Sequence, residues 1–195
     1  MLRRASTFAA LLIAAVTLSG CFVISTNVPA GTGPINDPRL VGTWRGLEGK
    51  DGKEGDAFLH FQRPDGQTKP LRLVWAEDQK YVVYEFISRH VGQRDVFAAR
   101  TTGPADALKD TPPGYFLGFY EVQGDRVTFH MLDAEKVGAL IAKGKLKGSR
   151  PPGKYEIATL TGSPAELAAF LASADAAAAQ SDEPATLHRL TRAPQ

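Results

Sequence analysis

The sequence predicts a mainly β domain: an antiparallel up-and-down barrel or curved meander sheet of eight or nine strands with two short helices. A cleaved signal peptide and a flexible tether precede it. Three observations carry this expectation. Strand-length runs with period-2 apolar patterning follow one another from about Leu40 onward. The connections between them are mostly short and rich in Gly, Pro, Asp and Asn, which favours neighbouring antiparallel strands. Two late segments drop the alternation for helical spacing and open on residues that cap helices.

In chain order, the first 20 residues hold only Arg3 and Arg4 as charges, followed by an apolar run from Phe8 to Leu18 broken only by Thr17. A positive start, a short apolar core and small residues at its end describe a secretory signal peptide. The run is shorter than the about 20 residues needed to span a bilayer. From Phe22 to Pro38, three prolines and several small polar residues argue against regular structure. That stretch reads as a tether with a reach of about 20–25 Å. The expected division is thus 1–20 signal peptide, 21–38 tether and 39–195 a single domain.

The expected strands are Val41–Leu47, Ala57–Gln62, Leu71–Ala76, Tyr81–Ser88, Asp95–Thr101, Tyr115–Val122, Arg126–Leu132, Lys154–Leu160 and a short return at Leu187–Leu190. Arg63-Pro64-Asp65-Gly66 suits a type I turn, because Pro presets φ and Gly accepts a positive one. Gly124-Asp125 suits a two-residue hairpin loop. Alternation puts Leu71, Leu73 and Trp75 on one face, with Val82, Tyr84 and Phe86 together and Val127, Phe129 and Met131 together. Tyr115–Val122 is apolar on both faces, so something must cover its outer side.

Two helices are available for that. Asp133 is the expected N-cap of the first, with Leu132 and Val137 as a hydrophobic staple, Val137, Leu140 and Ile141 as the buried stripe, and Gly144 as the stop. The second opens on Ser163-Pro164-Ala165-Glu166, a full capping box with Pro at N1, and buries Leu167, Phe170 and Leu171. Ala172–Ala179 could extend it.

The four residues Leu18-Ser19-Gly20-Cys21 resemble the lipobox of bacterial lipoproteins. The resemblance implies a diacylglyceryl group on the Cys21 sulfur, cleavage before Cys21 and acylation of the new amino terminus. Membrane attachment through acyl chains on Cys21 follows, and two or more chains anchor stably. In that family an Asp after the Cys tends to retain the protein in the inner membrane. Phe22 stands there instead, so the resemblance points to the bacterial outer membrane, with the domain facing the periplasm.

Removing Arg3 and Arg4 with the signal leaves 21 basic residues against 21 acidic, without the basic excess that nucleic-acid binding needs. Cys21 is the only cysteine, so no disulfide is available and stability must come from packing. His60, His90, His130 and His188 are spaced too widely to pair as metal ligands, and no nucleophile elbow, phosphate loop or dinucleotide fingerprint is present. No catalytic residue, metal or cofactor is expected. Glu85 alternates with Tyr81, Val83 and Ile87 and reads as a solvated outer-face residue.

Gly42-Thr43-Trp44 on the first expected strand is similar to the lipocalin Gly-x-Trp, and the element order over Leu40–Leu190 is similar to that family's. The resemblance implies a calycin-type barrel whose closed end is plugged by Trp44, with a late arginine, Arg189 or Arg192, covering the indole. Its interior is expected to hold Trp75, Tyr84, Phe86, Phe129 and Met131. Ala57 and Ala98, and Gly118 if its face points inward, thin the packing between them. The leading expectation is a non-enzymatic binding module for a small apolar or amphipathic ligand, entering beside a lid-like loop at Thr101–Gly114. The alternative is a protein-interaction module, either an envelope-assembly accessory or an inhibitor of a periplasmic enzyme. Lys143, Lys145, Lys147, Arg150 and Lys154, without one acid between them, form a candidate contact for anionic groups.

Overall fold

Eight of the alternating runs close on themselves. The computed structural model describes residues 22–48, 52–64, 68–77, 80–102, 113–151 and 157–192. Its barrel strands are β2 (Gly42–Glu48), β3 (Lys53–Gln62), β4 (Leu71–Glu77), β5 (Lys80–Val91), β6 (Arg94–Thr101), β7 (Tyr115–Gln123), β8 (Arg126–Met131) and β11 (Ala185–Arg192). Each pairs antiparallel with the next, β8 pairs with β11, and β11 returns to β2, so no edge is left in the ring. The registers keep the inward residues level. Trp44 lies opposite Leu59, Leu59 opposite Trp75, and Trp75 opposite Val82. Phe86 lies opposite Ala99, and Ala99 opposite Phe116. The interior core is therefore the set that alternation selects, including Leu71, Leu73, Trp75, Val82, Phe86, Val127 and Phe129.

Two tight turns fix those registers. Gly92-Gln93 joins β5 to β6, and Gly124-Asp125 joins β7 to β8, where Gly124 takes φ 60°, as a two-residue hairpin requires. The expected turn at Arg63–Gly66 lies partly outside the described residues, as does the Thr101–Gly114 loop.

The outer face of β5, β6 and β7 is apolar and covered, as the two-sided hydrophobicity of β7 requires. Ile87, Val96, Ala98, Leu117 and Phe119 form a second core with three helices: α1 (Ala134–Ala142), α2 (Pro164–Leu171) and α3 (Ala174–Ala178). Asp133 caps α1 by accepting from the Lys136 N–H, and Ser163 and Glu166 make the reciprocal capping box of α2. Ala172–Ala179 does not continue α2. Ser173 interrupts it, bonding the Phe170 carbonyl through its hydroxyl and capping α3 at the Ala176 N–H. Ala98 belongs to this outer core, so it does not thin the barrel interior; its neighbour Ala99 faces inward. Gly118 does face inward, but the space beside it is taken by the Phe97 ring.

The expected tether is a second correction. Phe22–Ser25 is a fully buried strand, β1, pairing antiparallel with the start of β7 and parallel with β10 (Ile157–Leu160), which in turn pairs with β9 (Gly148–Ser149). Thr26 N–H donates to the Leu160 carbonyl, Thr32 and His90 exchange both backbone bonds, and Asn36 and Asp37 are buried. The prolines and glycines here exclude helix, but they leave an irregular path that side chains can satisfy. Asn27 Nδ2 reaches the Gly162 carbonyl and Asn36 Nδ2 the Lys69 carbonyl, each at 3.0 Å. The folded unit thus reaches back at least to Phe22 rather than starting near residue 39.

Candidate functional site

The two ends of the barrel differ chemically. At the end carrying the β5–β6 and β7–β8 turns, Trp44 is completely buried and donates from Nε1 to the Leu40 carbonyl at 2.7 Å. Arg189 lies over its ring, 3.9 Å from the centroid, with Nη1 and Nη2 bonded to the carbonyls of Val41 and Arg39. Of the two arginines left open by spacing, Arg189 is the one on the indole. A polar lock adjoins it. Asp37 accepts from Arg39 and from the Tyr120 hydroxyl, the latter at 2.8 Å, while Arg39 also bridges to Asp95 and His90 pairs with Asp95. Burial pushes the Asp37 carboxyl upward, but the hydrogen bonds from Arg39 and Tyr120 outweigh it and hold the group below its ordinary value. The Tyr120 hydroxyl is pushed well above the usual phenol range by burial and by the Asp37 charge.

Above this plug the aromatic residues pack in layers. Phe61 and Phe86 meet edge to face at 5.1 Å, Phe86 and Phe97 stack at 5.2 Å, and Phe97 meets Phe129 edge to face at 5.6 Å. They form a filled floor. Over it lies a half-open apolar cavity of about 100 Å³, lined by Leu59, Leu73, Phe97, Ala99 and Phe116 together with Trp75, Tyr84, Phe86, Phe129 and Met131. All five residues expected in a pocket line this one cavity. Phe61, Phe97 and Phe116 were missed as aromatics of the interior. Ala57–Leu59–Phe61 carries the same period-2 signal, which would have found the first of them.

Two side chains of this wall carry polar atoms. Trp75 is 7% exposed, and its Nε1–H has no hydrogen-bond acceptor among the described residues. Burial pushes the Tyr84 hydroxyl up to about 12, so it stays protonated at neutral pH. Tyr84 and Trp75 sit on one face of adjacent strands, two residues apart in register. A buried donor without a partner costs about 1–3 kcal/mol, and Nε1 is closed off from the cavity space as well.

β1 packs behind one side of the cavity wall. Phe22 and Ile24 cluster with Phe116 and Ile157, packed against Tyr84 and Met131, and the Phe22 and Phe116 rings lie 5.6 Å apart.

The remaining candidates are dispersed. The fold brings acids to the basic stretch: Lys145 pairs with Asp175 at 2.9 Å and Lys147 with Glu166 at 2.6 Å, while Lys154 lies outside the described residues. Lys143 and Arg150 are exposed on the same surface. Glu85 pairs with Arg100 at 3.0 Å. His60 meets Thr43 across the sheet at 2.8 Å and His188 lies 3.4 Å from Glu54, so the histidines serve separate strands. Among the described residues no three His, Cys, Asp or Glu side chains converge as metal ligands. A larger polar groove of about 610 Å³, lined among others by Arg94, Glu121, His130 and Gln180, runs along the outside of β6–β8. In it Arg94 lies 5.4 Å from the Phe119 ring centroid, and its Nη1 has no hydrogen-bond partner among the described residues. In comparisons with known proteins the chain matches no family model, no curated protein and no solved structure.

Proposed function

We propose that this chain is a lipid-anchored, non-enzymatic binding module. In this reading Cys21 carries the acyl chains, the domain faces the periplasm from the bacterial outer membrane, and the barrel cavity takes a small apolar or amphipathic molecule. The observation that supports the reading best is the cavity itself, apolar on nearly all sides and ringed by aromatic side chains. Such a hollow suits the apolar end of a ligand. The volume, well below the roughly 300–1,000 Å³ of sites that enclose a whole drug-sized ligand, suits one end of such a molecule.

The soluble Cys21→Ser domain tests this. Titration with a fatty-acid-like probe should give saturable binding and shift the Trp fluorescence. Phe86→Ala, at the cavity floor, should alter that affinity more than Lys147→Ala does. Absence of saturable binding across fatty acids, quinones and lyso-lipids would remove the cavity reading. The second reading, a protein-interaction module for an envelope protein or periplasmic enzyme, draws on the polar groove with its unpartnered Arg94 Nη1.

A further inference from the structure

We infer that the barrel stands with the mouth of its cavity against the bilayer that holds its anchor, and that its ligand is an amphiphile drawn directly from that leaflet. The inference rests on the reading of Cys21 as acylated and of the cavity as a binding site. Four observations bear on it.

The first is the missing spacer. β1 begins at Phe22, one peptide bond after Cys21, and each residue advances the chain by at most about 3.8 Å. A mobile linker would let the domain tumble above the membrane. Here the first residue after the anchor is 4% exposed and already packed into the fold.

The second is where that packing occurs. Phe22 and Ile24 lie in the cluster that includes Phe116, Tyr84 and Met131, three residues that also line the cavity. The segment after the anchor thus packs against the cavity wall, so fixing the former constrains the latter.

The third is that the opposite end is sealed. Leu40 and Trp44 are completely buried there beneath Arg189, beside the Asp37–Arg39–Asp95 lock. A ligand reaching the cavity floor therefore arrives from the anchored end.

The fourth is the rim chemistry. Tyr81, at the start of β5 on the mouth side, is 57% exposed, the most open of the large hydrophobic residues among those described. A tyrosine with an apolar body and a polar tip suits the headgroup boundary. Trp75 and Tyr84 lie just inside, on the wall that the apolar end of a lipid would pass on entering the barrel.

The test uses the full, acylated protein reconstituted in phosphatidylethanolamine–phosphatidylglycerol vesicles with brominated acyl chains, which quench nearby indoles. Emission from Trp75, assigned by difference against Trp75→Phe, should fall by half or more, whereas Trp44 at the sealed end should be little affected. A 15-residue Gly/Ser spacer inserted between Cys21 and Phe22 should reduce the Trp75 quenching at least threefold, with thermal melting unchanged to show that β1 still folds. Equal quenching with and without the spacer would overturn the inference. So would an unquenched Trp75 in the native protein, including the case in which the protein's own, unbrominated acyl chain fills the cavity. Probe titration of the soluble Cys21→Ser domain stays separate: its failure removes the binding site itself, whereas its success with unquenched Trp75 removes only the orientation.

Discussion

Trp44 and Arg189 hold the sealed end through a cation over a ring and three hydrogen bonds to backbone carbonyls, that of the indole fully buried. Removing the indole leaves a large void and exposes the donors around it, so Trp44→Ala should cost about 3–5 kcal/mol in denaturant melts. A loss below about 1 kcal/mol would mean that the plug is dispensable. The adjacent Asp37 makes a pH prediction. Its carboxyl is held below the ordinary value of 3.8 despite burial, because Arg39 and Tyr120 donate to the charged form. The unfolded chain then binds the proton first as pH falls, so this stabilisation is fully present above about pH 4 and is lost as pH drops through the lowered native value. Asp37→Asn should flatten the stability profile in that acid range and leave its shape near neutrality unchanged. The lock itself was not legible in the sequence. Asp37, Asp95 and Tyr120 come from separate segments, and no local pattern connects them. Trp44, by contrast, was readable from its Gly-x-Trp setting.

At the level of elements, local chemistry predicted well where the partners are close in sequence. The capping box of Ser163 and Glu166 and the N-cap at Asp133 are contained within four residues each, and both helices start where those signals place them. Ser163→Ala should therefore cost about 1 kcal/mol, read from the melting of α2 by hydrogen exchange. β1 shows the opposite case. Its Phe-Val-Ile run is strand-prone, but its parallel partner begins at Ile157, so nothing nearby announces that it pairs. The seam with β7 has a specific weak point. A Cβ at Gly114 would collide with Ile24 Cγ2 and crowd the Ser25 carbonyl, which is backbone and cannot swing aside. Gly114→Val should lift β1 from β7 and destabilise by about 1–3 kcal/mol. Amide protection should be lost first at Ile24, while the β2–β11 pairing keeps its own. Uniform loss of protection would instead make β1 an integral stave of the barrel.

Across the whole molecule, the meander of short-loop strands was enough to foresee a ring, since seven consecutive hairpin-linked strands curl and a late one can close them. Whether the ring is hollow was not legible. That depends on how individual side-chain volumes meet across the interior, and two small inward residues resolve it in opposite ways. Gly118 has no room: a Cβ there would approach the Phe97 ring and the His130 carbonyl to 2.6 Å. Ala99, opposite Phe86 and Phe116, instead lines the cavity of about 100 Å³. Gly118→Ala should therefore destabilise without any ligand present. Ala99→Leu should extend into the empty space, keep or raise stability because a void is being filled, and reduce probe affinity tenfold or more. If affinity falls only in step with stability, the added side chain is straining the wall. If it does not fall, the ligand sits elsewhere, and the polar groove on the outer face of β6–β8 becomes the site to test.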